Sequence, residues 1–261
     1  MLKLAITGKG GVGKTTLAAL LARLYASEGH PVLAIDADPD ANLASALGFA
    51  PGEADKIEPI AGMADLIEER TGARPGTQAP MFRLNPRVDD IPERFSARHE
   101  GVRLLLMGTV KTGGGGCVCP ENVLLKSLLR HVLLRRGEVV IVDMEAGIEH
   151  LGRGTAESVD ALVTVVEPGR RSLQTAETIK KLASDLHIQR CFVVGSKVKS
   201  EEDRQFIASG LEGLELLGFL SYNERIIEAD LKGLSPFDLD PIAVKEARQI
   251  RDKLEKSLRK E

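Results

Sequence analysis

One glycine-rich loop restricts the fold more than any other feature of the sequence. Residues Gly8–Thr15 read GKGGVGKT, which fits the pattern G-x-x-x-x-G-K-[ST]. An apolar run at 3–7 comes directly before the loop, and a stretch typical of a helix begins inside it. In such a strand, loop and helix unit, glycines let backbone N–H groups turn inward around phosphate oxygens, and the helix amino terminus adds partial positive charge. The loop therefore predicts an α/β fold that binds the phosphates of a nucleotide.

The same loop predicts which residues contact that nucleotide. Lys14 should reach the β and γ phosphates, and the hydroxyl of Thr15 should bind Mg²⁺. Thr16 suits a contact to the α-phosphate. The expected nucleotide contacts in the loop are Gly10, Gly11, Val12, Gly13, Lys14, Thr15 and Thr16. The alternative, a glycine-rich turn without a ligand, is disfavoured because a strand precedes the loop and a helix follows it.

Short apolar runs alternate with amphipathic stretches along most of the chain. The runs are rich in Val, Ile and Leu, as expected of parallel strands that are buried on both faces. They span 3–7, 32–36, 102–108, 139–143, 161–166, 191–196 and 216–220, and helices are expected near 14–27, 41–47, 120–136, 172–186 and 241–260. This alternation predicts a doubly wound α/β domain with a mostly parallel sheet and helices on both faces.

The length of the chain suits one domain. With 261 residues and 43% hydrophobic content, it can bury a substantial core, and we expect a single domain over residues 1–261. The alternation of apolar runs with amphipathic stretches is interrupted at about 49–101. There, one helix-like stretch at 63–70 precedes a segment broken by four prolines. We expect an irregular excursion at the edge of the sheet there.

Charge and hydropathy exclude several classes of protein. A net charge of −3 argues against a generic nucleic-acid binder, which would carry a basic excess. No apolar run is long enough to span a membrane, and no leader precedes the glycine-rich motif. We therefore expect a cytoplasmic protein that acts on neither nucleic acid nor a membrane. In the reducing cytosol, a close cysteine pair is a metal-binding or redox element rather than a structural disulfide.

Lys9 adds information to the loop. The string KGGVGKTT resembles the deviant Walker A motif of the family that contains the partition ATPases, the division-site ATPases, the nitrogenase iron protein and metal-insertion ATPases. The resemblance implies that Lys9 reaches the nucleotide of a partner subunit, so that ATP holds a homodimer together. A lysine there could neutralise charge during phosphoryl transfer, as an arginine finger does. Alternatively, Lys9 is solvated beside its own phosphates.

Two acidic segments resemble other motifs of that family. DADPDAN at 36–42 looks like switch I, which implies that Asp38 orients or activates the attacking water and that Asp36 supports Mg²⁺. VVIVDMEAGIEH at 139–150 resembles the Walker B strand and switch II, which implies that Asp143 is linked to Mg²⁺. Such aspartates could instead only shape loops or cap helices. Glu145, Glu149 and His150 belong either to the moving switch or to the solvated surface.

The segment 113–122, GGGGCVCPEN, contains two of the three cysteines. Residues i and i+2 of an extended backbone point to one side, so Cys117 and Cys119 could present two sulfurs together. Two thiolates are half of a tetrahedral site for Zn²⁺, Ni²⁺ or Cu(I), and a twofold axis would supply the other half. Unliganded thiols in a flexible loop and a strained disulfide are the alternatives. Cys191 lies in an apolar run and reads as a small core residue.

The cysteine segment together with DMEAGIEHLGRGT resembles the CooC-type accessory ATPases of carbon monoxide dehydrogenase. The resemblance implies ATP-dependent dimerisation, Ni²⁺ or Zn²⁺ held by Cys117 and Cys119 of both subunits, and release on hydrolysis. It implies carbon monoxide dehydrogenase, or the related acetyl-CoA synthase, as recipient. The chain departs from the wider family by having Ser196 and Lys197 where an asparagine commonly contacts adenine, and 234–240 could complete the base pocket.

Two other functions remain open from the sequence. A reductase similar to the nitrogenase iron protein would hold a [4Fe–4S] cluster, but 143–153 lacks the second cysteine that it needs. A partition or positioning ATPase would act on DNA or a membrane, and 241–261 could lie on a bilayer through Ile242, Ile250, Leu254 and Leu258. That stretch is more typical of a terminal helix packed on its own domain.

Overall fold

The computed structural model describes residues 2–76, 81–108, 119–134, 137–146, 158–211 and 213–259. Within these ranges the strands form one eight-stranded sheet with the order β3-β4-β2-β5-β1-β6-β7-β8. The strands are β1 (Lys3–Gly8), β2 (Val32–Asp36), β3 (Ala97–His99), β4 (Val102–Leu106), β5 (Val139–Asp143), β6 (Ala161–Val166), β7 (Cys191–Val198) and β8 (Glu215–Ser221). All pairings are parallel except that of β3 with β4. The predicted doubly wound, mostly parallel fold is confirmed.

The central strands are apolar on both faces because helices cover both sides of the sheet. Every residue of β1, β2, β5 and β6 is buried. Side chains alternate between two cores: Leu4 and Ile6 belong to one cluster, while Ala5, Leu33 and Ile35 belong to the other. Burial on both faces explains why these strands lack the alternating polarity of a half-exposed sheet.

The helices surround this sheet and include five, within the described ranges, that the sequence analysis did not predict. They are α1 (Lys14–Ser27), α2 (Leu43–Leu47), α3 (Pro51–Ala54), α4 (Ala64–Thr71), α5 (Ile91–Phe95), α6 (Pro120–Leu134), α7 (Arg170–Asp185), α8 (Glu201–Ser209), α9 (Glu224–Lys232), α10 (Pro236–Leu239) and α11 (Pro241–Leu258). A 3₁₀ turn spans Ile60–Gly62. The unpredicted helices are α3, α5, α8, α9 and α10. The caps of two of them were readable, since Ser200 and Asp203 form a capping box before α8 and Asn223 caps α9.

The stretch 49–101, expected to be irregular, contains short ordered elements. The helices α3, α4 and α5 lie there, and β3 pairs antiparallel with β4 at the edge of the sheet. Arg70 of α4 is buried and its guanidinium donates to Asp90 Oδ2 at 2.7 Å, at the start of α5. The prolines therefore shorten the elements of this segment without preventing local structure.

The last helix packs on its own domain. Ile250 and Leu254 of α11 are each 1% exposed and belong to the core that α1 and β8 share. The interpretation of 241–260 as a terminal packed helix is confirmed, although Ile242 is 56% exposed. No helix in the described ranges is long and apolar enough to cross a membrane.

Arg23 of α1 connects α2 and α10 to α1. The residue is only 6% exposed, and its guanidinium donates to the carbonyl of Leu47 at 3.1 Å and to both carboxylate oxygens of Asp238 at 2.8 and 3.1 Å. It also lies 5.1 Å from the ring centroid of Phe237. Planar bidentate geometry of this kind is specific to arginine. Arg23 therefore fixes α10 and the end of α2 against α1.

Substitution of Arg23 should destabilise this junction. In Arg23→Ala, the carbonyl of Leu47 and the carboxylate of Asp238 both lose their charged donor, which should cost about 3 kcal/mol in the free energy of urea unfolding. The matched control is Arg248→Ala, because Arg248 is half-exposed and pairs with Glu28 at 2.9 Å. That surface pair should contribute less than about 1 kcal/mol. Equal losses in the two variants would contradict the role assigned to Arg23.

Candidate functional site

The glycine-rich loop between β1 and α1 is held by its own backbone and by β7. Gly13, the residue before α1, has a φ of 99°, which is unfavourable for a residue with a side chain. A Cβ at Gly13 would also lie 2.8 Å from the hydroxyl oxygen of buried Ser196. The side chain of Val12 is buried in the core, and its N–H donates to the carbonyl of Lys9 at 3.4 Å. These contacts restrict the backbone conformation of the loop at Val12 and Gly13.

Lys14 lies in the first turn of α1 and is 5% exposed. Its Nζ forms an ion pair with Asp38 Oδ2 at 3.3 Å. Asp38 follows β2, and its other oxygen, Oδ1, accepts a hydrogen bond from the N–H of Asp40 at 3.0 Å. The structure therefore brings the predicted phosphate-binding lysine and the predicted catalytic aspartate into direct contact.

Asp36 ends β2 and organises the loop that follows. It is 1% exposed, and its carboxylate accepts hydrogen bonds from the N–H groups of Asp38 at 3.2 Å and of Leu43 at 2.9 Å. Burial raises the pKa of Asp36 to about 7 against the lowering effect of the Leu43 N–H, and the nearby carboxylates of Asp143 and Asp38 raise it further. In this structure Asp36 holds the backbone of Asp38 and Leu43 in place, and its expected support of Mg²⁺ stays a prediction.

Asp143 ends β5 beside the glycine-rich loop. Its Oδ2 accepts a hydrogen bond from the Thr15 hydroxyl at 2.6 Å, while its buried Oδ1 has no hydrogen-bond partner in the described structure. Burial raises the pKa of Asp143 to about 6, and the Thr15 hydroxyl and Lys14 act in the opposite direction. Carboxylate and hydroxyl oxygens are hard ligands of the kind that Mg²⁺ takes. An unsatisfied buried oxygen next to Thr15 fits a Mg²⁺ site at this position.

Backbone contacts link the two acidic strands to β1. The N–H of Ala37 donates to the carbonyl of Asp143, and the N–H of Met144 donates to the carbonyl of Ile6, both at 2.9 Å. The buried hydroxyl of Thr7 donates to the carbonyl of Glu145 at 2.6 Å. Sequence reasoning did not single out Thr7, since a threonine at the end of a strand carries no distinctive signal. It joins the glycine-rich loop to the segment after β5.

Lys14, Thr15, Asp38 and Glu145 line one cavity of about 650 Å³. One side consists of the glycine-rich loop, and the other consists of Ile226, Ile227 and Asp230 of α9, with Leu234 and Pro236 beyond. The expected contribution of 234–240 is thus present in part, while the α9 residues were not predicted. The full lining is Gly10, Gly11, Gly13, Lys14, Thr15, Thr16, Asp38, Asp40, Asn42, Ser45, Ala46, Glu145, Ala146, Ile226, Ile227, Asp230, Leu234 and Pro236.

Lys9, Cys119 and Cys191 are not among the residues that line this cavity. Lys9 is exposed and directly precedes Gly10, which lines the cavity. Cys119 is half-buried at the start of α6, and Cys117 lies outside the described residues, as do Glu149 and His150. Among described residues, no group of three or more His, Cys, Asp or Glu side chains is arranged to hold a metal ion. Cys191 is half-buried in β7, and burial raises the pKa of its thiol.

Comparison with known proteins agrees with this geometry. The CobQ/CobB/MinD/ParA nucleotide-binding domain family matches residues 3–237. This chain belongs to that family. It is 53% identical to the carbon monoxide dehydrogenase accessory protein CooC of Rhodospirillum rubrum over 92% of this chain and 91% of that protein. It is 47% identical to an uncharacterized ATP-binding protein of Methanocaldococcus jannaschii, over 95% of this chain and 96% of the relative.

The family and its CooC-type branch confirm two predictions. The chain resembles CooC-type proteins along nearly its whole length, and it is an ATPase. Among solved structures, the septum site-determining protein MinD complexed with Mg-ADP from Pyrococcus horikoshii OT3 has a TM-score of 0.68. That match covers all of both chains at 19% identity, so it supports the fold.

The raised pKa values of Asp36 and Asp143 predict a pH-dependent stability. Each carboxyl binds its proton more tightly in the folded protein than in the unfolded chain, where its pKa is 3.8. Their contribution to stability is therefore complete below pH 3.8 and is lost as pH rises through about 6 to 7. Without Mg²⁺, the free energy of urea unfolding should fall by about 4 kcal/mol between about pH 5 and pH 7.5. In Asp143→Asn the fall should be smaller by about one third, because only the carboxyl of Asp36 then titrates. Equal slopes for the wild type and the variant would contradict the shift assigned to Asp143.

Proposed function

We propose that this ATPase is a homodimeric, nucleotide-gated metallochaperone that inserts nickel into carbon monoxide dehydrogenase or the related acetyl-CoA synthase. The observation that carries the proposal is a cavity lined by Lys14, Thr15 and Asp38, with Asp143 hydrogen-bonded to Thr15, in a chain 53% identical to a carbon monoxide dehydrogenase accessory protein. The Cys117 and Cys119 pair gives such a protein a means of holding the metal. The protein works in the cytoplasm.

The cavity supplies the groups that ATP hydrolysis requires. The N–H groups of the glycine-rich loop bind phosphate oxygens, and Lys14 binds the β and γ phosphates. Thr15 and Asp143 would hold Mg²⁺, with Asp36 behind them, and the ion would supply positive charge that neutralises the phosphates. Asp38 orients a water molecule, whose oxygen bonds to the γ-phosphorus as the bond to the β–γ bridging oxygen breaks. The products are ADP and inorganic phosphate.

Lys9 is proposed to complete the site of a partner subunit. It is exposed, directly precedes Gly10 of the lining, and is not part of the lining of its own cavity in the described structure. A second copy placed against Lys9 would receive a positive charge beside its γ-phosphate. Each active site would then be complete only in the dimer, so hydrolysis would be coupled to subunit closure.

The variant Lys9→Ala separates this role from simple phosphate binding. Its dissociation constant for a non-hydrolysable ATP analogue, measured by calorimetry, should stay within about threefold of the wild-type value because Lys14 is retained. Its kcat should fall by about a thousandfold, the lower end of what an arginine finger contributes. Lys14→Ala is the contrasting variant and should lose nucleotide binding as well. A Lys9→Ala enzyme with unchanged kcat would contradict the trans role.

The metal is proposed to lie between the subunits. Cys119 precedes α6 at the same edge of the sheet as the cavity, because β4 ends there and α6 begins there. Two thiolates from each subunit would give a tetrahedral Cys₄ site suited to Ni²⁺ or Zn²⁺. ATP binding would align the two cysteine pairs, and hydrolysis would separate them and release the metal to the recipient enzyme.

The shared site predicts one metal ion per dimer. Anaerobically purified protein, mixed with Ni²⁺ or Zn²⁺ and a non-hydrolysable ATP analogue, should elute from size exclusion as a dimer with one metal by elemental analysis. The Cys117→Ser/Cys119→Ser variant should lose this metal and keep its secondary structure. The matched control is Cys191→Ser, which removes a thiol from β7 and should retain the metal. A wild-type dimer that forms with the analogue and contains no metal would refute the metal-carrier role and leave the ATPase role intact.

A further inference from the structure

The Lys14–Asp38 ion pair creates a conflict at the centre of the site. The proposed function assigns Lys14 to the nucleotide phosphates and Asp38 to the attacking water, yet in the structure the two side chains pair with each other at 3.3 Å. Their side chains are 6% and 15% exposed, so water screens the attraction only weakly. A phosphate that binds Lys14 must therefore displace Asp38 or share the lysine with it.

Asp38 is also the residue that fixes the shape of its own loop. We define the switch loop as residues 37–42. Asp38 Oδ1 accepts a hydrogen bond from the N–H of Asp40, and the N–H of Asp38 donates to the carboxylate of Asp36. Asp36 in turn accepts from the N–H of Leu43 at the start of α2. The ion pair thus ties the switch loop and α2 to the glycine-rich loop through a single lysine.

The charges around Lys14 favour exchange of its ion-pair partner from Asp38 to phosphate when a nucleotide binds. Lys14 lies near the carboxylates of Asp38 and Asp143, and its positive charge already lowers the pKa of the latter. A triphosphate brings several further negative charges to the same cavity and would bind the lysine more strongly than one carboxylate does. Asp38, left beside the γ-phosphate without its partner, would be repelled from its present position.

We propose that the Lys14–Asp38 ion pair is an autoinhibitory contact that holds the switch loop on the glycine-rich loop until nucleotide phosphates take Lys14. The contact lowers nucleotide affinity, and its exchange releases Asp38 to orient water. The position of the switch loop therefore reports whether Lys14 is bound to phosphate. This proposal rests on the proposed function of the cavity as an ATP site.

The test compares two variants that each remove one negative charge from the same cavity. Asp38→Asn removes the partner of Lys14 and keeps an oxygen that can accept from the N–H of Asp40. Asp40→Asn is the matched control, because Asp40 lines the cavity and is exposed, and among the described residues Lys14 pairs with Asp38 and not with Asp40. Binding of a non-hydrolysable ATP analogue is measured by calorimetry, so that any effect on hydrolysis does not enter.

Asp38→Asn should bind the analogue about tenfold more tightly than the wild type, whereas Asp40→Asn should change affinity by less than about threefold. Asp38→Ser, which also offers an oxygen to Asp40, should reproduce the gain if Asp38→Asn folds poorly. In wild-type protein, adding the analogue should speed hydrogen exchange at the N–H groups of Asp40 and Leu43 as the switch loop leaves its present position.

Two negative results have different meanings. If the wild type binds the analogue and Asp38→Asn binds no more tightly than Asp40→Asn, the autoinhibitory role of the ion pair is wrong. The assignment of the cavity as the ATP site is then unaffected. If the wild type binds no nucleotide, the proposed use of the cavity fails and the autoinhibitory contact fails with it.

Discussion

The parallel register of β1, β5 and β2 is the constraint on which the site depends. Asp36 lies opposite Asp143 in the pairing of β2 with β5, and Ile6 lies opposite Asp143 in the pairing of β1 with β5. This register brings the carboxyl ends of three strands to one edge, where the glycine-rich loop leaves β1. Two aspartates that end neighbouring strands are thereby forced close together, and their burial raises the pKa of each. The same proximity that costs stability gathers oxygen ligands around Thr15.

The sequence predicted the elements whose residues form long uniform patterns. The strands β1, β2, β5 and β6 are continuous apolar runs because they are buried on both faces, and α1 begins and ends at the predicted residues. Strand β3 was missed because three residues are too few to establish an alternation. Helices α8 and α9 were not predicted, although Ser200 and Asn223 cap them, because the prediction of helices relied on apolar periodicity and not on capping residues.

The candidate site was predictable in its residue types and only partly in its geometry. The glycine-rich motif assigned Lys14 and Thr15 to one place, the family resemblance added Asp38 and Asp143, and the structure brings the four residues together. The ion pair between Lys14 and Asp38 and the α9 side of the cavity depend on how distant segments pack, which no local pattern encodes. Asp36 shows a further limit: the sequence marked it as acidic and near the site, but only the structure shows it holding the backbone of Asp38 and Leu43. The metal-binding role of Cys117 and Cys119 stays a prediction.

The cavity combines residues from opposite ends of the chain, which has a consequence for synthesis. The glycine-rich loop is made first, but its facing wall at Ile226, Ile227 and Leu234 emerges from the ribosome more than 200 residues later. Asp238, which accepts hydrogen bonds from Arg23, is likewise made more than 200 residues after its partner. Since chains fold progressively from the amino terminus during translation, a nascent protein passes through a stage with a phosphate loop and no opposite wall. Nucleotide binding in the full cavity therefore cannot precede the synthesis of its facing wall at 226–236.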